Sequence, residues 1–448
     1  MESPAWRQGL ELGGVVARTV AHFWPDMRAW LDGLRDPRDP NRITYPARCL
    51  TWAGLLVFLL KLGSRRQIRF ELDSPVALEN LNRLAGCRQD RVPHGDTLNY
   101  FVRRLVPDQL HGLRRRMVNR LIRMKVLDGG RLLGHFLVVI DGTGQLTFRQ
   151  RHCPHCLERT VGRQTLYYHH VLEAKLVTPE GLAISIGTEF IENADPKATK
   201  EDCEKKAFAR LAPQLHSDFP QLRLCLLLDA LYANGPVFDL CSRYHWKYII
   251  TFKEGGLPAL WTEYEALRDL EPENRRTETP AEGVRQTFAW VSDLPYTDTQ
   301  GRSFRLGALQ CQEEGPKGDG FFAWLTNFPV EPNTVTALAN RGGRLRWKIE
   351  NEGFNIQKNG GFDLEHAYGT GPWAIKNFYL LMQLAHLVLQ LVERGNLLVD
   401  RCETLFGSLR AFGRRLAESL RHAIIPTQAL DVIAAARIQI RLRPADTS

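Results

Sequence analysis

Short apolar runs bounded by polar residues recur through the middle of the chain and predict strands. The main predicted strands are 136–141, 167–177, 181–190, 222–228 and 246–252. A minor extended piece near 145–149 is not counted among them. Amphipathic periodicity predicts helices at 199–216 and 234–244, between the later strands. Three strands followed by alternating helices and strands indicate an α/β fold, with helices on the faces of a mixed sheet.

The residues before this sheet have a helical pattern. Residues 1–130 are predicted to form a helical, basic, DNA-binding region, in which one helix runs from near Pro107 to Met124. That helix combines an apolar stripe with a basic face. Its basic face includes Arg114, Arg115 and Arg116. Such a face suits contacts to DNA phosphates, although an ordinary solvated helix accounts for it equally well.

The residues from 131 onward divide into four parts. Residues 131–252 would be the first part of a catalytic core, and residues 253–332 a β-rich insertion with strands at 284–290, 304–311 and 321–327. Residues 333–370 would return to the core through a helix that carries Glu350. Residues 371–448 are predicted to be helical, and their most apolar stretch, Phe378–Val392, contains polar side chains and so predicts a buried helix instead of a membrane span.

Charge is unevenly distributed along the chain. The net charge is +9, and residues 1–135 hold 23 Lys and Arg against 13 Asp and Glu, whereas the central residues 136–369 are slightly acidic. Basic flanks around an acidic centre fit an enzyme that binds a polyanion, although charge alone decides little. The N-terminus lacks the pattern of a signal peptide, and the nine cysteines are scattered, so we expect a reducing, cytoplasmic location.

Three acidic residues stand in positions that suit metal binding. Asp141 and Asp229 each follow a predicted strand, and Glu350 lies on a predicted helix. Carboxylates brought together from such positions could hold two Mg²⁺ ions against a phosphodiester. Each acid taken alone is better explained as a helix cap or a strand end, and the order of the three is what favours a shared site.

The order of these acids resembles that of the DDE transposases of bacterial insertion sequences, which have a ribonuclease-H-like core. The chain is similar to the branch whose β-rich insertion precedes a glutamate helix with a Tyr-Arg-Glu-Lys signature. The similarity spans roughly residues 130–370. It is carried by residues 138–143 (Val-Val-Ile-Asp-Gly-Thr), 226–232 (Leu-Leu-Leu-Asp-Ala-Leu-Tyr) and 346–351 (Arg-Trp-Lys-Ile-Glu-Asn).

The resemblance implies a function and roles for individual residues. Asp141, Asp229 and Glu350 would bind two Mg²⁺ ions, for which Mn²⁺ could substitute, and the enzyme would cut transposon ends and join the 3′-hydroxyl to target DNA. The partner would be double-stranded DNA, held by a homodimer in a synaptic complex, with the protein nucleoid-associated when bound. Two alternatives stay open: a metal-dependent nuclease that does not join strands, and a non-catalytic DNA-binding protein.

The signature of that branch is matched only in part. Its arginine falls on Arg346, its tyrosine on Gly343, and its lysine on Gln357, with Lys358 next to it. Arg346 and Lys358 would contact DNA phosphates, although Arg346 could instead form an intrahelical ion pair with Glu350. Tyr232, Trp324 and Trp347 could stack on an extruded base, and core packing is the preferred explanation for the two tryptophans.

A second chemical signal is the Cys-x-x-Cys sequence formed by Cys153 and Cys156. Such a pair supplies half of a structural zinc site, and His169 or His170 could supply more. The two histidines lie on one predicted strand, so they should point to opposite faces. Because no clear second ligand pair is evident, a reduced cysteine pair in a turn is favoured over zinc, and zinc stays open as the alternative.

Overall fold

The computed structural model describes residues 4–193, 202–316 and 318–443, with side chains from residue 11 onward. It is a mixed α/β structure with one ten-stranded sheet and helical terminal regions. The strands are β1 Phe136–Phe148, β2 Leu157–Val161, β3 Gln164–Val177, β4 Ala183–Ile191, β5 Leu224–Leu228, β6 Lys247–Thr251, β7 Arg275–Ala281, β8 Val284–Thr297, β9 Ser303–Glu314 and β10 Gly320–Thr326. All eight main strands predicted from the sequence are present, whereas β2 and β7 were not predicted.

Strand β1 lies inside the sheet, between β3 and β5. The order of the sheet is β2-β3-β1-β5-β6-β10-β9-β8-β7, and β4 also pairs with β3. Strand β1 pairs antiparallel with β3 and parallel with β5, and β5 pairs parallel with β6. Strand β10 then pairs antiparallel with β6, so the four later strands extend the same sheet. Apolar residues of β1 pack on both faces, as expected for a strand covered on both sides.

Strand β1 is longer than predicted, and this corrects the position of Asp141. The strand continues through Asp141 to Phe148 and absorbs the minor piece near 145–149, with an irregularity in its pairing between Gly144 and Leu146. The parallel pairing with β5 extends only to Val139. Asp141 is therefore inside a strand, just beyond the end of its parallel partner. Asp229, in contrast, directly follows the last residue of β5, as predicted.

Seventeen α-helices are found in the described residues: α1 Pro4–Phe23, α2 Met27–Asp32, α3 Ala47–Leu59, α4 Gln67–Glu71, α5 Pro75–Ala85, α6 Gly95–Val102, α7 Pro107–Arg123, α8 Glu204–Asp218, α9 Gly235–Arg243, α10 Pro258–Leu270, α11 Val335–Asn340, α12 Ile356–Asn359, α13 Pro372–Arg394, α14 Cys402–Phe406, α15 Leu409–His422, α16 Thr427–Leu430 and α17 Val432–Arg437. The predicted start of the 199–216 helix lies outside the described residues, as do residues 444–448.

The helices from the two ends of the chain share one hydrophobic core. The backbone N–H of Gly13 donates to Ser419 Oγ (3.0 Å), and the Asn80 amide donates to the carbonyl of Leu420 (2.8 Å). Helix α13 is long and apolar enough to cross a membrane by length and composition, but 94% of its apolar window is buried inside the protein. This burial is that of a core helix.

The segment that carries Glu350 is helical, as predicted, but it is not one regular α-helix. A 3₁₀ helix spans Gly343–Trp347, a π-helix spans Ile349–Asn355, and α12 follows directly. A π turn takes one more residue than an α turn and is frequently found at functional sites. The side chains that follow Glu350 are therefore displaced by about one residue from the positions that an α-helix would give them.

Arg114 is a correction to the predicted basic face of α7. Its side chain is 2% exposed, and its guanidinium donates to Ser185 Oγ (2.9 Å) and to Thr188. The Arg114 guanidinium also lies 3.9 Å from the carboxylate of Glu173, which is fully buried. Glu173 accepts further hydrogen bonds from Ser185, Thr188 and Tyr379. The helical pattern placed Arg114 on the solvent side, and this buried carboxylate draws it inward instead.

This burial predicts that Arg114→Ala destabilises the fold. The substitution leaves the Glu173 carboxylate buried without its cation, and breaking a buried ion pair costs about 3–5 kcal/mol. Urea unfolding should show this loss in the free energy of unfolding. The neighbouring Arg116 is exposed, so Arg116→Ala should change the stability by less than about 0.5 kcal/mol. Equal effects of the two substitutions would contradict this role of Arg114.

Candidate functional site

The two aspartates lie next to one another where β1 passes the end of β5. Asp141 Oδ1 accepts a hydrogen bond from the backbone N–H of Gly142 (2.9 Å), and Asp229 Oδ1 accepts one from the backbone N–H of Leu231 (2.8 Å). The Asp229 bond caps the short 3₁₀ turn that follows β5. Each aspartate keeps its second oxygen free of backbone donors, so both can present an oxygen to a cation.

The carboxyl of Asp141 is held in an unfavourable environment for a charge. The pKa of this carboxyl is raised to about 6, mainly by burial and to a smaller extent by the negative charges of Glu204 and Asp229. Two contacts oppose this increase in the pKa, namely the guanidinium of Arg346 and the N–H of Gly142. Burial outweighs both, so the site is one that a bound cation would relieve.

Arg346 connects the Glu350 segment to this site. Its Nη1 lies 3.4 Å from Asp141 Oδ2, and its guanidinium lies 4.5 Å from the ring centroid of Trp347. The intrahelical pair with Glu350, which the four-residue spacing allowed, is not among the contacts of the described residues. The structure therefore brings Asp141, Asp229 and Arg346 together as one group.

Glu350 is half-buried and forms no hydrogen bond or ion pair in the part of the chain that the structure describes. Among the described residues, Asp141, Asp229 and Glu350 do not form a group of donor atoms close enough together to hold one metal ion. The competing Glu352 is engaged, because it forms an ion pair with Lys348 (2.5 Å). Of Glu350 and Glu352, it is therefore Glu350 whose carboxylate has no ion-pair partner among the described residues.

Glu204 is a neighbour of the site that the sequence analysis missed. It begins α8, and its Oε1 lies 3.2 Å from His170 Nε2. Gly142 lies against both side chains, and a Cβ there would overlap them. No local motif marks Glu204, and only the glycine after Asp141 hints that another side chain approaches the strand at that point.

Tyr232 is a correction to the predicted stacking residues. Its side chain is 1% exposed, its ring packs edge-on against Phe208, and its hydroxyl is 3.5 Å from Glu204 Oε2. Burial raises the pKa of this hydroxyl, with the charges of Glu204 and the two aspartates adding to the increase. Tyr232 therefore supports the site from within the core and presents no face to a base.

The other predicted DNA contacts differ in their access to solvent. Arg116 is exposed, and Arg115 is also exposed although it pairs with Asp218 (2.9 Å). Gln357 is fully buried and donates to Gln383 and His386, whereas Lys358 reaches the surface near Glu365. Of the two residues at the signature lysine position, Lys358 is therefore the one that can meet a phosphate.

An open cavity of about 510 Å³ lies beside Arg346. Its wall combines aromatic and basic side chains, among them Trp261, Phe321, Trp324, Arg344 and Trp347. Trp347 is 56% exposed, which is contrary to the expectation that it packs in the core, whereas Trp324 is buried as expected. An aromatic, positively charged cavity of this kind suits a base or another flat anionic group.

A separate cluster of metal-binding side chains lies at the far end of β1. His152, Cys153, Cys156 and His169 each offer one donor atom, and these atoms all lie within 4.8 Å of one another. This group could hold a metal ion. The structure supplies the second ligand pair that the sequence analysis did not find, because His152 joins His169. His169 faces this cluster and His170 faces Glu204, in agreement with the predicted alternation along the strand.

Comparison with protein-family models finds no match to this chain, and comparison with curated proteins finds none either. The likeness to DDE transposases thus rests on the residues quoted for it.

The pKa of Asp141 predicts a pH-dependent effect of Asp141→Asn on stability. The folded pKa of about 6 exceeds the ordinary value of 3.8, so the stability that protonation provides is lost as the pH rises through about 6. At pH 8 without divalent cations, asparagine should therefore stabilise the fold by up to about 3 kcal/mol. Urea unfolding at pH 8 and at pH 5 measures the difference, which should shrink at the lower pH. A gain that is the same at both pH values would contradict the shifted pKa.

Proposed function

We propose that this protein is a DDE transposase, which cuts the ends of a transposon and joins the 3′-hydroxyl to target DNA. The observation that carries the proposal is that Asp141 on β1 and Asp229 just after β5 lie side by side, with Arg346 reaching Asp141 from the segment of Glu350. Double-stranded DNA would be the partner. Action on two ends calls for a homodimer in a synaptic complex.

The topology supports a ribonuclease-H-like core. In the order β4-β3-β1-β5-β6, the first three strands are antiparallel neighbours and the last three are parallel. The resemblance calls for aspartates on the first core strand and after the fourth, where Asp141 and Asp229 lie once the short β2 hairpin is set aside. Strands β7 to β10 come between β6 and Glu350 in the chain, as a β-rich insertion would, although they extend the sheet.

The donor set fits a pair of hard divalent cations. Asp141, Asp229 and Glu350 would hold two Mg²⁺ ions, or Mn²⁺ in their place, which would supply an activated water or 3′-hydroxyl and stabilisation of the leaving oxygen. Glu350 is suited to this role because its carboxylate is unengaged, in contrast to that of Glu352. The guanidinium of Arg346 pairs with Asp141 Oδ2. A cation bound by Asp141 would replace this pairing, and the guanidinium could then contact a DNA phosphate.

Two departures from the signature have physical explanations. A tyrosine cannot stand at Gly343, because even a Cβ there would overlap the indole of Trp324. The signature places its lysine at the position of Gln357, whereas the lysine of this chain, Lys358, stands one residue later. The π-helix Ile349–Asn355 accommodates this additional residue between Glu350 and Lys358. The aromatic cavity beside Arg346 would receive a base extruded near the cut, with Trp347 as the exposed stacking surface.

We expect Asp229→Asn to abolish DNA cleavage while leaving DNA binding largely intact, because the substitution removes a cation-binding charge and keeps the cap on the 3₁₀ turn. The assay pairs a gel-shift measurement with strand transfer into a plasmid, using the DNA that flanks the coding sequence as the substrate. Nicking without joining in the parent protein would favour the nuclease alternative. Binding without any cleavage would favour the non-catalytic alternative, and either result would contradict the transposase.

A matched pair of substitutions tests the third acid. Glu350→Gln should reduce cleavage by at least about a hundredfold, since removal of one charged catalytic group typically costs that much. Glu352→Gln should leave most of the activity in place, because Glu352 is committed to Lys348. Cleavage rates on a labelled transposon end, measured at saturating Mg²⁺, compare the two variants. The reverse ranking would assign the site to Glu352.

A further inference from the structure

We propose that His152, Cys153, Cys156 and His169 form a structural zinc site. His152, Cys153 and Cys156 lie in the loop between β1 and β2, and His169 lies on β3, so two segments of the chain converge on one point. Two thiolates and two imidazoles are the ligand set of structural zinc, and soft sulfur ligands disfavour Mg²⁺. The two cysteines would bind as thiolates and release their protons to solvent.

The distances between the donor atoms agree with a tetrahedron around one ion. The two sulfur atoms are 3.5 Å apart, and His169 Nε2 lies 3.5 Å from Cys153 Sγ and 3.6 Å from Cys156 Sγ. His152 Nδ1 lies 3.4 Å from Cys156 Sγ. Zinc with ordinary bond lengths would place sulfur atoms roughly 3.8 Å apart and sulfur and nitrogen roughly 3.5 Å apart. A disulfide would instead need the sulfurs at about 2.05 Å.

The local fold holds the four donor side chains close together. Strand β2 pairs with β3 from Leu157↔Tyr168 onward, which places Cys156 opposite His169 at the entrance of the hairpin. The backbone N–H of Cys156 points to the carbonyl of Cys153 (3.5 Å), closing a tight turn between the two cysteines. The ring of His152 packs on Phe148 at the end of β1, with centroids 3.9 Å apart. The remaining ring nitrogen of His152 is buried without a partner.

A metal here would anchor a basic hairpin to the sheet. Beyond Leu157, β2 is largely exposed and pairs only with β3, and a two-stranded ribbon is only marginally stable in water. The loop and hairpin carry four exposed arginines: Arg149, Arg151, Arg159 and Arg163. Because structural zinc contributes folding free energy directly, the ion would fix this positively charged projection in one orientation.

The first experiment measures metal in the full-length protein purified without chelator. Elemental analysis should find zinc close to one equivalent per chain, and Cys153→Ser and His169→Ala should each lose it. Cys203→Ser and His155→Ala are the matched controls and should keep it, since neither residue belongs to the group. His169→Cys should also keep zinc, because a thiolate can replace the imidazole, which separates loss of a ligand from failure to fold.

The second experiment replaces zinc with Co²⁺ and reads the absorption spectrum, in which tetrahedral thiolate coordination gives strong visible bands. Limited trypsin digestion should then cut at the hairpin arginines after metal removal and spare them in the loaded protein. Both readouts use protein without DNA, so they stand even if the proposed transposase activity fails. A parent protein without stoichiometric zinc or a Co²⁺ spectrum would overturn the proposal. Zinc retained equally by Cys153→Ser and His169→Ala would overturn it too.

Discussion

Strand β1 is hydrogen-bonded on both sides, and this double pairing is the constraint on which the other parts of the molecule depend. The register of its antiparallel bonds to β3 determines which residues of β1 lie close to Glu173, to Glu204 and to the group of His152, Cys153, Cys156 and His169. Its parallel bonds to β5 bring the end of that strand beside Asp141. From Leu137 to Val139 the strand can move only if both ladders break, and beyond Val139 the ladder with β3 holds the side chains at fixed spacings.

The carboxylate site is a place where the fold accepts an unfavourable arrangement. Asp141 is partly buried, and its neighbours Asp229 and Glu204 are also acidic, with Arg346 as the cation closest to it. Such concentrations of charge reduce stability and are retained where a site needs them. The buried carboxylate of Glu173, on β3, differs from that of Asp141 because both of its oxygens accept hydrogen bonds from side chains.

The sequence predicted the strands well because their apolar runs are short and bounded by polar residues. It placed Asp229 correctly, since Asp229 ends such a run, but it ended β1 too early because Gly142 and Gly144 weaken the strand pattern. Arg114 and Tyr232 could not be placed, because their partners Glu173 and Glu204 are distant in the chain. The meeting of His152 with His169 likewise depends on the β2–β3 pairing, which periodicity did not reveal.

The pairing of β1 with β3 from Asp141 to Phe148, which has one irregularity between Gly144 and Leu146, also limits how this chain can vary in length. A single residue inserted after Asp141 would turn every later side chain to the opposite face and separate Leu146 from its partner His169. The tip of the β2–β3 hairpin is free of this limit, because Gly162 has a positive φ and its surroundings are exposed. Related chains should therefore differ in length at that tip and agree residue for residue along β1.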